Sequence, residues 1–133
     1  MDRQEAIEFL LDHYENPRNN GAFEPVDVTM PGGNPGCGDV VTIYLKVNDA
    51  AQAIERVAFE GSGCTISQAA SSIVTEMFHG KTLEDVETTS GEVILDILGR
   101  ELAATRLKCA TLGLNTTKEA VRQARRQAQM EKE

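Results

Sequence analysis

This chain of 133 residues contains three cysteines and a nearby aspartate that could together bind a metal. Cys37 lies between two glycines and Cys64 directly follows one, so little side-chain bulk covers either sulfur. Asp39 adds a carboxylate two residues after Cys37, and Cys109 supplies a third thiol far along the chain. Three thiolates and a carboxylate would complete a four-ligand set if the fold brings them together.

The surroundings of two of these cysteines favour the thiolate form, which is the form that binds metals. Cys64 stands where a predicted strand gives way to a predicted helix, and the helix dipole and free N–H groups stabilise negative charge there. Cys109 follows Arg106 and Lys108, whose positive charges act in the same direction. We expect the Lys108 ammonium to stay near the thiolates as a counter-charge, because a protonated amine has no lone pair to offer a metal.

Each of these residues also has an ordinary structural interpretation. A lone free cysteine is usually buried as a small apolar side chain, and an aspartate such as Asp39 is usually a solvated turn residue. Three cysteines, two of them among glycines and polar residues, favour a shared site instead. Their spacing does not identify the metal, since it is not that of paired CxxC zinc motifs. His13 and His79 are expected to be structural or exposed rather than ligands.

Composition excludes several classes of function. The net charge of −8 and the pI of about 4.8 argue against non-specific nucleic-acid binding, which needs a basic surface. There is no run of about 18 apolar residues to cross a membrane, and the N-terminal segment does not resemble a signal peptide. We therefore predict a cytoplasmic protein, in a compartment where thiols stay reduced. The odd number of cysteines also argues against a disulfide framework.

Basic residues are concentrated near the end of the chain, at Lys118, Arg122, Arg125 and Arg126. We interpret them as the solvated face of a last helix. A docking surface for an acidic partner is the alternative.

The elements that must position the cysteines can be read from the pattern of apolar residues. A first helix should end before Asn16-Pro17, because the residue preceding a proline is disfavoured in the α region. The stretch 16–36 is rich in Asn, Pro and Gly, which predicts a loop with a short strand near Val26–Met30. Alternating residues then predict strands over Val40–Val47 and Ile54–Glu60, paired as an antiparallel hairpin.

Helical spacing dominates after Cys64. One helix should run from there to Gly80, and capping-box spacing at Thr82–Asp85 and at Thr89–Glu92 predicts two more helix starts. A last helix should extend from about Thr105 to Gln127. Strands followed by helices predict an α+β fold, with a small antiparallel sheet and helices packed mainly on one face, in a single domain over 1–133.

Four segments resemble the U-type iron–sulfur cluster assembly scaffolds, the family of IscU, SufU and the N-terminal domain of NifU. They are 13–19 (HYENPRN), 34–39 (NPGCGD), 61–67 (GSGCTIS) and Lys108-Cys109. The similarity runs from about residue 6 to about residue 125, in order and at compatible intervals. It implies an α+β fold with a three-stranded antiparallel sheet.

The resemblance also implies a function. Cys37, Cys64 and Cys109 would receive sulfur from a cysteine desulfurase and hold a nascent [2Fe–2S] cluster, which then passes to apo iron–sulfur proteins. Asp39 would be the labilising ligand, because oxygen binds such iron less tightly than sulfur does. Members of the family are also known with Zn²⁺ in the same site. The chain would then be a scaffold rather than an enzyme.

The chain departs from the family patterns at two places. IscU has a histidine directly before the third cysteine, whereas Lys108 stands here, as in the SufU branch; the insertion common in that branch is missing. The Leu-Pro-Pro-Val-Lys stretch that recruits a dedicated Hsp70-type chaperone to IscU reads Leu102-Ala103-Ala104-Thr105-Arg106. We do not expect that chaperone as a partner, and the chain fits neither branch completely.

Three functions remain open at this point. The first is a cluster scaffold, which the missing insertion favours. The second is a zinc-dependent acceptor that relays persulfide sulfur, which Lys108 favours. The third is a structural zinc domain, which is disfavoured because such sites usually close with Cys and His and seldom with Asp.

Overall fold

The computed structural model describes residues 2–34, 38–100 and 106–132. Within them the chain forms a three-stranded sheet and five helices, with most helices after the strands, as the predicted α+β class requires. Cys37 and the stretch Leu102-Ala103-Ala104-Thr105 lie outside the described residues. The elements are α1 (Arg3–Glu15), β1 (Val28–Asn34), β2 (Asp39–Asn48), β3 (Ala53–Ser62), α2 (Thr65–Phe78), α3 (Leu83–Thr88), α4 (Gly91–Leu98) and α5 (Leu107–Lys132).

The sheet is antiparallel in the order β1-β2-β3, and one of its faces is buried. Because successive side chains of a strand point to opposite faces, the alternation of β2 places every second residue in the core. Helix α5 packs against β1 and β2, while α2 packs against β3 and α5. The predicted arrangement of helices against one face is confirmed. The buried residues of β2 on that face are Val41, Ile43, Leu45 and Val47.

Strand β1 reaches further toward the cysteine-rich part of the chain than predicted. We expected a short strand near Val26–Met30, but the strand runs to Asn34, which pairs with Asp39. A proline inside it is tolerated because β1 is an edge strand. Gly32 allows the strand to approach α5 closely, since a Cβ at this position would overlap the hydroxyl of Thr116.

The helix starts follow the predicted caps with one exception. Thr82 and Asp85 form the expected capping box. The second expected cap, Thr89, is wrong: Ser90 caps α4 by accepting the N–H of Glu92 at 3.1 Å. The Thr89 hydroxyl instead donates to the carbonyl of Asp85 at 2.6 Å, at the end of α3. Competition between adjacent hydroxyl residues is a short-range choice that spacing alone does not resolve.

Helix α5 is longer than predicted and passes through Gly113 without a break. The glycine is required for helix packing, because a Cβ at Gly113 would lie 2.7 Å from the hydroxyl oxygen and 3.0 Å from the Cα of Ser71 on α2. The two helices that carry Cys64 and Cys109 therefore pack with almost no side chain between their backbones.

The basic side chains of α5 are largely paired within the chain. Arg125 forms two hydrogen bonds with the carboxylate of Glu87, at 2.7 and 2.8 Å, and Arg122 pairs with Glu119. These pairs support the interpretation of a solvated helix face over a docking surface. Among the described helices, none combines the length and the apolar character that crossing a bilayer would demand.

His13 is buried and links α1 to α2. Its Nδ1 lies 2.7 Å from the hydroxyl of Ser72, and that oxygen accepts the backbone N–H of Arg18 at 2.8 Å. The Ser72 hydroxyl thus links the imidazole of His13 to the backbone of Arg18, and Nε2 of the same ring lies 4.0 Å from Glu76. Burial, helped by the positive charge of Arg18, lowers the pKa of His13.

This burial makes the free energy of unfolding depend on pH. In the unfolded chain His13 titrates near its ordinary pKa of 6.5, and in the folded chain it titrates lower. As the pH falls below 6.5, His13 becomes protonated in the unfolded chain but stays neutral in the folded chain until the pH reaches the lower, folded-state pKa. The His13 contribution to stability is therefore complete above 6.5 and is lost progressively toward the lower, folded-state pKa. Urea unfolding between about pH 5 and 8 measures it.

Two single substitutions isolate this effect, since the chain has only two histidines. His13→Gln should show a shallower dependence of stability on pH than the wild type. His79→Gln, at an exposed position, should keep the wild-type dependence. Equal slopes in all three proteins would contradict the assignment to His13.

Candidate metal centre

An oxygen of Asp39 and the sulfurs of Cys64 and Cys109 all lie within 4.8 Å of one another. Asp39 is the first residue of β2, Cys64 is the N-cap of α2, and Cys109 is in the first turn of α5. Thiolate and carboxylate ligands of one tetrahedral metal ion stand about 3.6–3.8 Å apart. Three separate elements thus bring donor atoms to nearly the spacing that a metal requires.

Asp39 is the centre of this cluster and is only 2% exposed. One carboxylate oxygen, Oδ2, lies 2.7 Å from the sulfur of Cys109 and 3.7 Å from that of Cys64. The other oxygen accepts the backbone N–H of Cys64 at 2.8 Å. The alternative of a solvated turn residue is therefore wrong, because Asp39 begins a strand and its carboxylate is enclosed.

Cys64 caps helix α2, as the sequence predicted. Its sulfur accepts the backbone N–H of Ser67 at 3.4 Å, one of the free donors of the first helical turn. The Ser67 hydroxyl returns a hydrogen bond to the carbonyl of Cys64 at 3.1 Å. Cys64 is partly exposed whereas Cys109 is buried, so Cys64 is the more open of these two thiols.

The protonation state of Cys109 differs from our expectation. Burial, reinforced by the adjacent carboxylate of Asp39, raises the pKa of Cys109 to about 12. The neighbouring cations that should favour its thiolate are both exposed, so solvent weakens their effect. The hydrogen bond from Cys109 lowers the pKa of Asp39 despite burial of that carboxyl, helped by the Cys64 N–H and by Arg106. The metal-free site therefore pairs a carboxylate with a neutral thiol.

The remaining predicted residues lie outside this cluster or outside the described chain. Lys108 is exposed at the start of α5, where it lines a groove beside β1, and its role as a counter-charge stays a prediction. Cys37 is not among the described residues, so its participation also stays a prediction. His13 is buried between α1 and α2, and His79 is exposed at the C-cap of α2.

Gly63 is a site residue whose specific role sequence reasoning missed. Its φ of +147° lies in the region that favours glycine, and a Cβ there would overlap Oδ1 of Asp39 and lie 2.8 Å from its Cγ. The available signal was its position directly before Cys64. The missing side chain leaves the space that the carboxylate occupies.

Gly63→Ala is expected to displace the Asp39 carboxylate, because the Cβ overlaps that group rather than the flexible end of a long side chain. Metal binding should weaken by at least about tenfold, the change that loss of one such ligand contact produces. Zn²⁺ titration in competition with a chelator measures it.

Gly21→Ala is the matched control, since Gly21 also has a positive φ, of +125°, but a Cβ there meets nothing within 4 Å. Gly21→Ala therefore has the conformational strain of an alanine at positive φ but no steric overlap with another side chain. Gly21→Ala should lower the melting temperature while keeping metal affinity. Equal affinities in Gly63→Ala and the wild type would contradict the role assigned to Gly63.

A buried carboxylate between two cysteine sulfurs, at the end of a small antiparallel sheet covered by helices, defines an α+β protein with a candidate metal site. Residues 6–131 match the family model of the NifU-like N terminal domain. The chain belongs to this family. The family membership confirms the resemblance indicated by the four sequence segments.

Curated relatives carry the name of iron–sulfur cluster assembly scaffold protein IscU. Two from Archaeoglobus fulgidus are each 38% identical over 112 residues, which cover 84% of this chain and 71% of the relative. The Escherichia coli relative is 38% identical over 117 residues, covering 86% of this chain and 89% of its own.

Solved structures agree with the fold. A putative iron–sulfur cluster assembly scaffold protein for the SUF system, from Fervidobacterium islandicum, is 28% identical with a TM-score of 0.70, covering 86% of this chain and 94% of that one. The N-terminal part of a NifU-like protein from Brucella abortus has a TM-score of 0.78 at 19% identity, covering 94% and 99%. At that identity it supports the fold alone.

Proposed function

We propose that this chain is a scaffold on which a [2Fe–2S] cluster is assembled and from which it is released to acceptor proteins. The observation that carries the proposal is the convergence of Asp39, Cys64 and Cys109, in a member of a family whose relatives are named as such scaffolds. The cluster is cargo, held for a time and handed on.

The ligands of this cargo are Cys37, Asp39, Cys64 and Cys109. Iron–sulfur clusters are held by cysteine thiolates, and a carboxylate oxygen is a weaker donor to the same iron. Three thiolates therefore retain the cluster and Asp39 is the bond that opens first. The burial of Asp39 and Cys109 beside the partly exposed Cys64 supports this assignment, because it places the donor atoms at the surface end of a mostly enclosed cluster of ligands.

The partners follow from the chemistry of the cargo. A sulfur donor, for which a cysteine desulfurase is the expected class, supplies persulfide sulfur, which must gain two electrons per sulfur atom from a reductant to become the sulfide of the cluster. Apo iron–sulfur proteins take the finished cluster. The chain binds and releases but is not itself an enzyme. A cytoplasmic location, where thiols stay reduced, suits a chain whose three cysteines are proposed to bind metal as thiolates.

A zinc-dependent sulfur acceptor is the second candidate. Lys108 occupies the position before the third cysteine where a histidine would supply another ligand, and the three described donors lie within 4.8 Å of one another, close enough for small side-chain shifts to place them around one ion. In this function a thiol takes persulfide sulfur from the desulfurase and relays it without building a cluster.

Anaerobic reconstitution with Fe²⁺, cysteine and a cysteine desulfurase separates the two candidates. The scaffold is expected to gain iron and sulfide in equal amounts, with the visible absorption of a [2Fe–2S] cluster, and to activate an apo-ferredoxin afterwards. Retention of zinc, no uptake of iron and relay of persulfide to a second thiol protein would overturn the scaffold proposal in favour of the sulfur acceptor. Absorption spectra and metal analysis of the same sample show whether a cluster has formed and whether zinc has been retained.

A further inference from the structure

A groove of about 400 Å³ runs between β1 and α5 beside the metal centre. Lys108, at one end, directly precedes Cys109, and Gly33 on the strand side pairs with Val40, the neighbour of Asp39. The groove therefore ends next to the proposed cluster ligands. The lining residues that matter below are Gly32, Gly33, Lys108, Thr111, Asn115 and Glu119.

The two edges of the sheet differ in how they are covered. At β3, Phe59 donates its N–H to the carbonyl of Asn19, and its carbonyl accepts the N–H of Gly21, both at 2.9 Å. At β1, no strand pairs with the outer edge among the residues the structure describes. An open edge strand beside a groove can pair through its main chain with an extended peptide, here with one donor fewer because Pro31, which also lines the groove, has a carbonyl but no N–H.

Length and charge indicate what such a peptide would be. From Lys108 to Glu119 is eleven residues of helix, about 16 Å, which an extended peptide of about five residues covers. Glu119 is paired with Arg122, so its charge is compensated within the chain. Lys108 supplies positive charge at the end nearest the metal centre, in a chain of net charge −8. An anionic group of the peptide, such as a thiolate, is favoured there.

We propose that the groove binds an extended, cysteine-bearing segment of the acceptor apoprotein, with its thiolate at the Lys108 end. The inference rests on the proposed scaffold function. Before it holds metal, the cysteine segment of an acceptor lacks a preformed site, so it can adopt the extended conformation that pairs with β1.

Transfer is then a ligand exchange with no change of oxidation state. The acceptor thiol loses its proton to solvent, an iron–sulfur bond forms to the acceptor, and the iron–oxygen bond to Asp39 breaks. The released carboxylate stays ionised, because the N–H of Cys64 donates to it at 2.8 Å. Holding the segment in the groove makes this exchange intramolecular.

Filling the groove tests the proposal. Asn115 is exposed in the middle of the groove, so Asn115→Trp blocks it without disturbing the core. Gln129→Trp, at an exposed position of α5 outside the groove, is the matched control. Both proteins are loaded chemically with Fe²⁺ and sulfide, then mixed with apo-ferredoxin. Asn115→Trp should load normally but transfer at least about tenfold more slowly at low ferredoxin concentration, and recover at high concentration.

The outcomes distinguish this inference from the function on which it rests. Equal transfer rates for Asn115→Trp and the control would overturn the groove proposal and leave the scaffold function in place. Slower desulfurase-driven assembly with unchanged transfer would assign the groove to the sulfur donor and overturn the acceptor proposal. Failure of the wild type to load or transfer any cluster would overturn the scaffold function itself.

Discussion

Replacing Asp39 by alanine is expected to lengthen the lifetime of a reconstituted cluster and to slow its transfer to apo-ferredoxin, each by about tenfold, or about 1.4 kcal/mol in activation free energy. The carboxylate is the weakest of the four proposed donors to iron. Alanine leaves its position to a thiol from the reconstitution mixture, which iron holds more tightly. An incoming acceptor thiolate then has no easily broken bond to replace.

The geometry supplies a specific reason for the lability of Asp39. Asp39 begins β2 and is enclosed, so its carboxylate does not lie on a free loop. The Cys64 N–H and the Cys109 thiol both donate to it in the metal-free site. Cys109 loses its hydrogen when it binds iron, so the backbone N–H of Cys64 is the donor that can still compete with iron for the carboxylate.

Thermal melts accompany the lifetime and transfer measurements. Asp39→Ala should melt close to the wild type, because loss of the hydrogen bonds from the Cys64 N–H and the Cys109 thiol, about 1 kcal/mol each, is offset by removal of a buried charge. Asp49→Ala, at an exposed aspartate of the β2–β3 turn, is the control and should change neither measurement. A structural zinc domain forecasts a lower melting temperature instead, because the fold of such a domain depends on its metal. That result, with unchanged transfer, would count against the scaffold.

Cys109→Ser is expected to abolish cluster retention while leaving the protein folded. The serine hydroxyl can still donate to Asp39, so the hydrogen bond at 2.7 Å has a substitute. As an iron ligand the hydroxyl is far poorer than a thiolate. Absorption and iron content after gel filtration should fall to background, and a variant that keeps wild-type cluster content would remove Cys109 from the ligand set.

The same substitution should change the pH dependence of Zn²⁺ binding. With the pKa of Cys109 raised to about 12, this thiol is protonated at neutral pH and must lose its proton when it binds metal. Its contribution makes apparent affinity rise about tenfold per pH unit as long as the pH is below that pKa. Competition titrations between about pH 6 and 8 should show a slope lower by one proton in Cys109→Ser. In Cys64→Ser, Cys109 still releases its proton when metal binds, so its contribution to the pH dependence of Zn²⁺ affinity should remain.

Much of the fold could be predicted because its signals are local. The end of α1 before Asn16-Pro17 follows from the steric effect of one proline on its neighbour. The capping box at Thr82 and Asp85 joins residues three apart, and the alternation of β2 reflects one buried face. The errors lie where two local signals compete, as at Thr89 and Ser90, or where proline and glycine concealed the end of β1.

Residue types and order determined which side chains could form the metal centre and which element would carry each. The tertiary structure decided that Asp39, Cys64 and Cys109 meet, since the hydrogen bond from Cys109 to Asp39 joins residues 70 positions apart. Their meeting depends on α5 packing against the sheet and, through Gly113, against α2. It also decided that Cys109 is a buried neutral thiol, because the dielectric around a sulfur depends on everything packed against it and not on its neighbours in sequence.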